Sequence, residues 1–219
     1  MTDDQMRPQG ESRKARSIAQ LQRENVPTIA HLPWIECDPA TLQALEAVAR
    51  RTMVICLLAV HAEDNGMPKE ILQEYLDLRG VRGDLTANER SFLANPDLSE
   101  KDRGPFTWQY EAANVLLWAM GYVDPLAPPT VYCTAQGVSA IVAPLTLQQL
   151  IDQANFRSPD EIFDASDLHF RYHWAAREAG LRGQEGPAGL IIPVCYYRHY
   201  ALNWLTDNEA EWDNVDTST

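Results

Sequence analysis

The stretch GPFTWQYEAANVLLWAMGY, Gly104 to Tyr122, decides the fold. Between Ala112 and Met120 only Asn114 is polar. A helix that is apolar on nearly every side is one that a core surrounds. On a helical period of about 3.6 residues, Trp108, Glu111, Val115 and Trp118 share a face, so a carboxylate stands inside an aromatic stripe. A buried carboxylate needs a partner or takes up a proton. The rest of the chain is read for elements that could surround this helix and for groups that could answer Glu111.

Helix signals dominate on both sides. In ESRKARSIAQLQREN, Ala15, Ile18 and Leu21 form a stripe, and Pro27 closes the segment. Asp38-Pro39 reads as an N-cap followed by proline at the first helical position, opening ATLQALEAVARRTMVICLLAVHAED, with Leu42, Leu45, Val48 and Ala49 at helical spacing. Asn65-Gly66 ends it, and PKEILQEYLDLRG turns Ile71, Leu72, Tyr75 and Leu76 inward. Thr86 with Glu89, and Ser158 with Glu161 behind Pro159, have capping-box spacing; Asp164 and Asp167 read as the cap of DASDLHFRYHWAAREAG. TLQQLIDQANF and VCYYRHYALNWL complete the set. A short strand at Val131 to Cys133 is the one β candidate, and nothing nearby pairs with it.

The predicted fold is therefore all-α: an irregular single-domain helical bundle of roughly seven to nine helices with little or no β. Residues 1–10 read as a flexible N-terminus, 11–206 as the helical domain, and 207–219 as an acidic tail that frays.

The formal net charge of −13 repels nucleic-acid phosphates and anionic lipid, and favours a basic protein partner if there is one. The N-terminus has no apolar core of a secretory signal, and the longest apolar run, Met53 to Val60, is too short to cross a bilayer. Cys37, Cys56, Cys133 and Cys195 are scattered, so reduced thiols and a cytoplasmic setting are expected. Oligomeric state is left open.

Four stretches, RSIAQLQRENVPTIAHLP, TWQYEAANVLLWAMG, DASDLHFRYHWAAREAG and RHYALNWLTDNEAEWDNVDT, resemble the bacterial family catalogued as domain of unknown function 4272 (DUF4272). The resemblance covers nearly the whole chain and implies a soluble, mostly helical protein with no established reaction. The positions that match are Trp108, Glu111, Trp118, Asp167, Arg171, His173, Trp174, Arg198, His199, Asn203, Trp204, Trp212 and Asp213. Phe170 stands where the family pattern has tyrosine and Tyr197 where it has glutamate, while His169 and Cys195 lie outside the pattern.

Two constellations carry chemistry. His169 with His173, and Cys195 with His199, are i,i+4 pairs that together would make a four-ligand zinc site if their helices faced each other. Coincidence at this spacing is common, and Phe170 directly after His169 excludes the zincin motif, so no cofactor is expected and zinc is kept as the alternative. The second is a polar cluster of Glu111, Asp167, Arg171, His173, Arg198, His199 and Asn203. As a catalytic group, Glu111 would be a general base, with His173 or His199 exchanging its proton and Arg198 beside it. As a structural group, the same residues form an ion-pair network that fixes helix register, which is the preferred reading. The tryptophans read as core, with Trp212 in the acidic tail as the exception. Gly183, Gly186 and Gly189 form a loop with no preceding strand and so no phosphate cradle.

The expected function is binding of another protein or an accessory role, of which neutralising a basic partner in an immunity-type role is a concrete version. A small hydrolase or metal-dependent enzyme on Glu111, His173, Arg198 and His199 is the alternative, and a purely structural helical protein the third. The balance leans away from an enzyme.

Overall fold

The computed structural model describes residues 3–219. Among the described residues there are ten α-helical segments and no strand: α1 (Asp3–Arg23), α2 (Leu45–Ala62), α3 (Lys69–Leu78), α4 (Ala87–Ala94), α5 (Glu100–Thr107), α6 (Gln109–Ala119), α7 (Ala135–Val142), α8 (Leu147–Asp152), α9 (Pro159–Leu181) and α10 (Ile192–Thr206). Trp108 is at once the C-cap of α5 and the N-cap of α6, so these two run on as a single bent rod. The all-α bundle is as expected. Val131 to Cys133 is irregular and not a strand.

Helix α6 lies at the centre, with Ala112, Ala113, Val115, Leu116, Leu117 and Ala119 wholly buried. Helix α10 packs on α6 and α9, and α2 packs on α6 from another side. Helices α3, α5, α7 and α8 surround α2, and α1 lies along α9. A fully buried Leu, Ile or Val of such a core contributes about 1.5–3 kcal/mol. Gly121, at φ 83°, closes α6 in the left-handed conformation, and the Tyr122 amide donates back to the Leu117 carbonyl at 2.9 Å. No helix among the described residues is long and apolar enough to cross a membrane.

Several boundaries differ from expectation. Helix α1 already runs from Asp3, so the stretch expected as flexible up to residue 10 is helical from that point. Its buried side is Arg13, Ser17 and Leu21, while Ala15 is exposed; the polar residues go inward because Arg13 meets Asp164 at 2.6 Å and Cys37 at 2.7 Å. Asp38 caps only a short 3-10 turn at Pro39–Thr41. Helix α2 starts later, because Gln43 is held outside it: its amide donates to the Leu205 carbonyl and its side chain to the Asp207 carbonyl, each at 2.9 Å. Ser158 and Glu161 start a single long α9 by a full capping box, so Asp164 and Asp167 sit inside the helix and cap nothing.

The acidic tail does not fray. Trp212 is buried, edge-on to Tyr200 and Trp204 with centroids 5.2 Å from each, and Arg51 lies over its ring at 5.3 Å. The Tyr200 hydroxyl donates to the Trp212 carbonyl. Asp213 accepts the Asn88 amide at 3.0 Å in the first turn of α4, where a carboxylate satisfies an otherwise unpaired N–H and meets the positive end of the helix dipole.

Candidate functional site

Glu111, on α6, is answered by Arg198 on α10. Arg198 Nε donates to Glu111 Oε2 at 2.9 Å, and the Cys133 amide donates to Oε1 at 2.7 Å. The same guanidinium donates to the Ala127 carbonyl and, at 3.2 Å, to the Val131 carbonyl. Arg198 is fully buried and Glu111 is 2% exposed. Both carboxylate oxygens are therefore engaged, and the pair pins the irregular 121–134 connection onto two helices. Burial and the neighbouring Glu111 push the Cys133 thiol up.

His173 does not reach Glu111. Its Nδ1 meets Nδ1 of His199 at 2.9 Å, with ring centroids 5.1 Å apart. Two Nδ1 atoms in contact hold one proton between them, one ring donating and the other accepting. Burial pushes His173 down to about 4, with the Arg177 cation adding to the effect, and His199 to about 3, where a second proton would be repelled by any on His173 or His169, so both rings are neutral at pH 7. Phe170 packs against His199 at 5.7 Å between centroids.

Asp167 and Arg171, one turn apart on α9, form a fully buried bidentate pair at 2.9 and 2.7 Å. Arg171 also donates to the Pro33 carbonyl at 2.9 Å and so fastens the linker between α1 and α2. Asn203 lines the same groove as His199 but bonds to none of these pairs: its side chain donates to the Asp216 carbonyl at 2.7 Å and tethers the tail. The polar cluster expected as a single hydrogen-bonded constellation is thus three separate pairs, with Asn203 bonded to none of them.

The zinc constellation does not assemble. Among the described residues no three His, Cys, Asp or Glu side chains come together as a metal set. His173 and His199 spend their Nδ1 atoms on each other. His169 turns its Nδ1 to the Ala165 carbonyl at 2.9 Å and leaves Nε2 buried without a partner, while Cys195 is sealed among Tyr172, Leu190 and Leu21.

A surface feature escaped the sequence. Trp108 stacks on Tyr197 at 6.1 Å with the rings 11° apart, and lies 5.9 Å from Tyr132. Tyr196 meets Tyr197 edge-on at 5.1 Å and His173 at 5.5 Å. Tyr132 is 61% exposed and Val131 49%. Because Arg198 holds the Val131 carbonyl and Glu111 the Cys133 amide, the buried ion pair is the foundation on which Tyr132 stands. The one available signal was Tyr197, an aromatic where the family pattern is acidic.

Between residues 13 and 215 the chain matches the family model described as Domain of unknown function (DUF4272). The chain belongs to that family. In this DUF4272 chain the match takes in the Glu111–Arg198, His173–His199 and Asp167–Arg171 pairs and the docked Trp212-Asp213 corner. Comparison with curated proteins and with solved structures gives no match.

Proposed function

We propose that this DUF4272 protein binds another protein, a basic one, through the aromatic platform of Trp108, Tyr132 and Tyr197. The single observation carrying this reading is that Tyr132 and Val131 are left in solvent although a fully buried ion pair holds their backbone in place. Large aromatics that are rigid and accessible are the side chains from which interface hot spots are made. Their faces attract the guanidinium and ammonium groups of a partner, and a net charge of −13 steers such a partner inward. An immunity-type role, neutralising a basic protein, is the concrete version. Free Cys37, Cys56, Cys133 and Cys195 fit a reducing, cytoplasmic setting.

The enzyme alternative has less support. A general base must lie within reach of substrate, and Glu111, held by Arg198 and the Cys133 amide, is in a place closed to solvent.

The test is affinity capture from the native host at low and raised salt, followed by titration of the purified captured protein. A basic partner that is lost with Tyr132→Ala supports the reading. Capture that is unchanged by Tyr132→Ala and insensitive to salt overturns it.

A further inference from the structure

Two larger concavities, about 670 Å³ beside Trp212 and about 610 Å³ between α1 and α9, are open grooves: in the first, Arg50 and Arg51 pair with Asp84 and Glu89; in the second, Arg13 and Arg16 pair with Asp164, and Arg23 lies back along its own helix on the Ala19 carbonyl at 3.3 Å. A smaller cavity of about 210 Å³ is of another kind. It lies where α2, α3 and α7 meet, and its walls are Met53, Leu57, Val60, Met67 and Val142. Cys56, Tyr75, Arg79, Ser139 and Ala143 complete the lining. Tyr75 is 38% exposed and Ala143 is exposed, so the cavity opens where they line it.

Protein interiors are close-packed, and an apolar gap of this size leaves its lining without contacts. Water fills such a gap poorly, because it needs two or more polar partners and the walls offer almost none. About 150 Å³ is enough for benzene, so this volume suits a somewhat larger apolar group. The two methionines and the cysteine are adaptable, polarisable lining suited to a flexible guest. At the lip, Arg79 donates to the Ala143 carbonyl at 2.6 Å and to the Val142 carbonyl at 3.4 Å. Those bonds fix the guanidinium at the cavity mouth and use only part of its donor fork. It carries no carboxylate partner among the described residues. The guanidinium lies 6.0 Å from the Tyr75 ring centroid, and a cation without a carboxylate partner at the mouth of an apolar slot matches a ligand with an apolar body and an anionic head.

We propose that the cavity between α2, α3 and α7 binds a small carboxylate with an apolar tail, its chain among Met53, Leu57, Val60 and Val142 and its carboxylate on Arg79. The site is independent of the aromatic platform.

The test is calorimetric titration of the whole protein with octanoate, 3-phenylpropionate and octanol. Octanoate or 3-phenylpropionate binds one to one, and whichever is tighter defines the tail as linear or aromatic. Octanol binds at least about tenfold more weakly, since it lacks the charge-assisted contact. Arg79→Gln brings the carboxylate down to the level of octanol and leaves octanol unchanged. Ala143→Trp, at an exposed position, closes the mouth and abolishes binding of all three with the circular dichroism of the wild type. Tyr132→Ala leaves the titrations unaltered. Absence of binding by either carboxylate at millimolar concentration overturns the proposal. So does binding that survives Ala143→Trp, or a carboxylate preference that survives Arg79→Gln.

Discussion

Arg198 on α10 reaches across to Glu111 on α6 at 2.9 Å, and neither side chain meets solvent. The pair joins the two helices that frame the core and, through the Ala127 and Val131 carbonyls and the Cys133 amide, the connection between α6 and α7. Removing one member leaves a buried charge unanswered. Glu111→Ala or Arg198→Ala is expected to cost about 3–5 kcal/mol in urea unfolding. Replacing both with apolar residues of like volume recovers only part of this, because two carbonyls and an amide stay unpaired, at about 1–3 kcal/mol each. Full recovery in the double variant would show that the backbone contacts contribute nothing.

Acid should destabilise the protein well above the carboxylate range. His169, His173 and His199 sit near 6.5 when unfolded and are pushed by burial to about 3, about 4 and about 3 when folded. A base whose folded value is lowered stabilises the fold fully above its unfolded value, and that contribution is lost as pH falls toward the folded one. Stability is therefore expected to fall between pH 6.5 and about 4, with each histidine contributing up to about 1.4 kcal/mol per pH unit. His169→Phe isolates one share. It removes a buried Nε2 that has no partner and keeps a ring against Tyr172. At pH 7 it should be neutral or stabilising, and its stability-against-pH slope, from urea unfolding, should be lower by about one proton.

The tail is a structural element. Trp212 fills a space between Tyr200, Trp204 and Arg51. Trp212→Ala is expected to cost about 3–5 kcal/mol, the range for a buried aromatic, with a matching drop in Tm. Asp213→Ala removes only the contact to the Asn88 amide and should cost about 0.5–2 kcal/mol. Equal losses in the two variants would mean that the tail is held by its cap and not by its ring.

Local features were legible in the sequence. The capping boxes at Thr86/Glu89 and Ser158/Glu161 depend on residues three apart, and both form. So does the burial of α6, which its apolar run states outright. Partner choice was not legible. Glu111 and Arg198 are 87 positions apart, and the chain offered an Arg and a His on each of two helices. Only packing shows that α10 supplies the arginine while the histidines turn to each other. The His169–His173 spacing is real, yet the rings take different partners, Ala165 and His199. The tail read as frayed because its composition is acidic; one tryptophan, with its neighbours 8 and 12 positions back, outweighs that composition. The platform was hidden for the same reason as the ion pair, since Trp108, Tyr132 and Tyr197 come from three separate segments.

The platform separates binding from folding. Tyr132 is 61% exposed and its side chain makes no hydrogen bond to the protein among the described residues, so Tyr132→Ala should shift stability by no more than about 0.5 kcal/mol. If it is a hot spot, the same change weakens the partner by about 2 kcal/mol or more, close to thirtyfold in Kd. Tyr197→Glu, which restores the residue of the family pattern, replaces the ring stacked on Trp108 by a carboxylate. It keeps the attraction for a basic partner and loses the aromatic contact. Titrations at low and raised salt should therefore give Tyr197→Glu a steeper salt dependence than the wild type with weaker binding at high salt, and Tyr132→Ala a parallel, displaced line. If the two variants instead lose affinity only in proportion to lost stability, the aromatics serve the fold and the partner binds elsewhere.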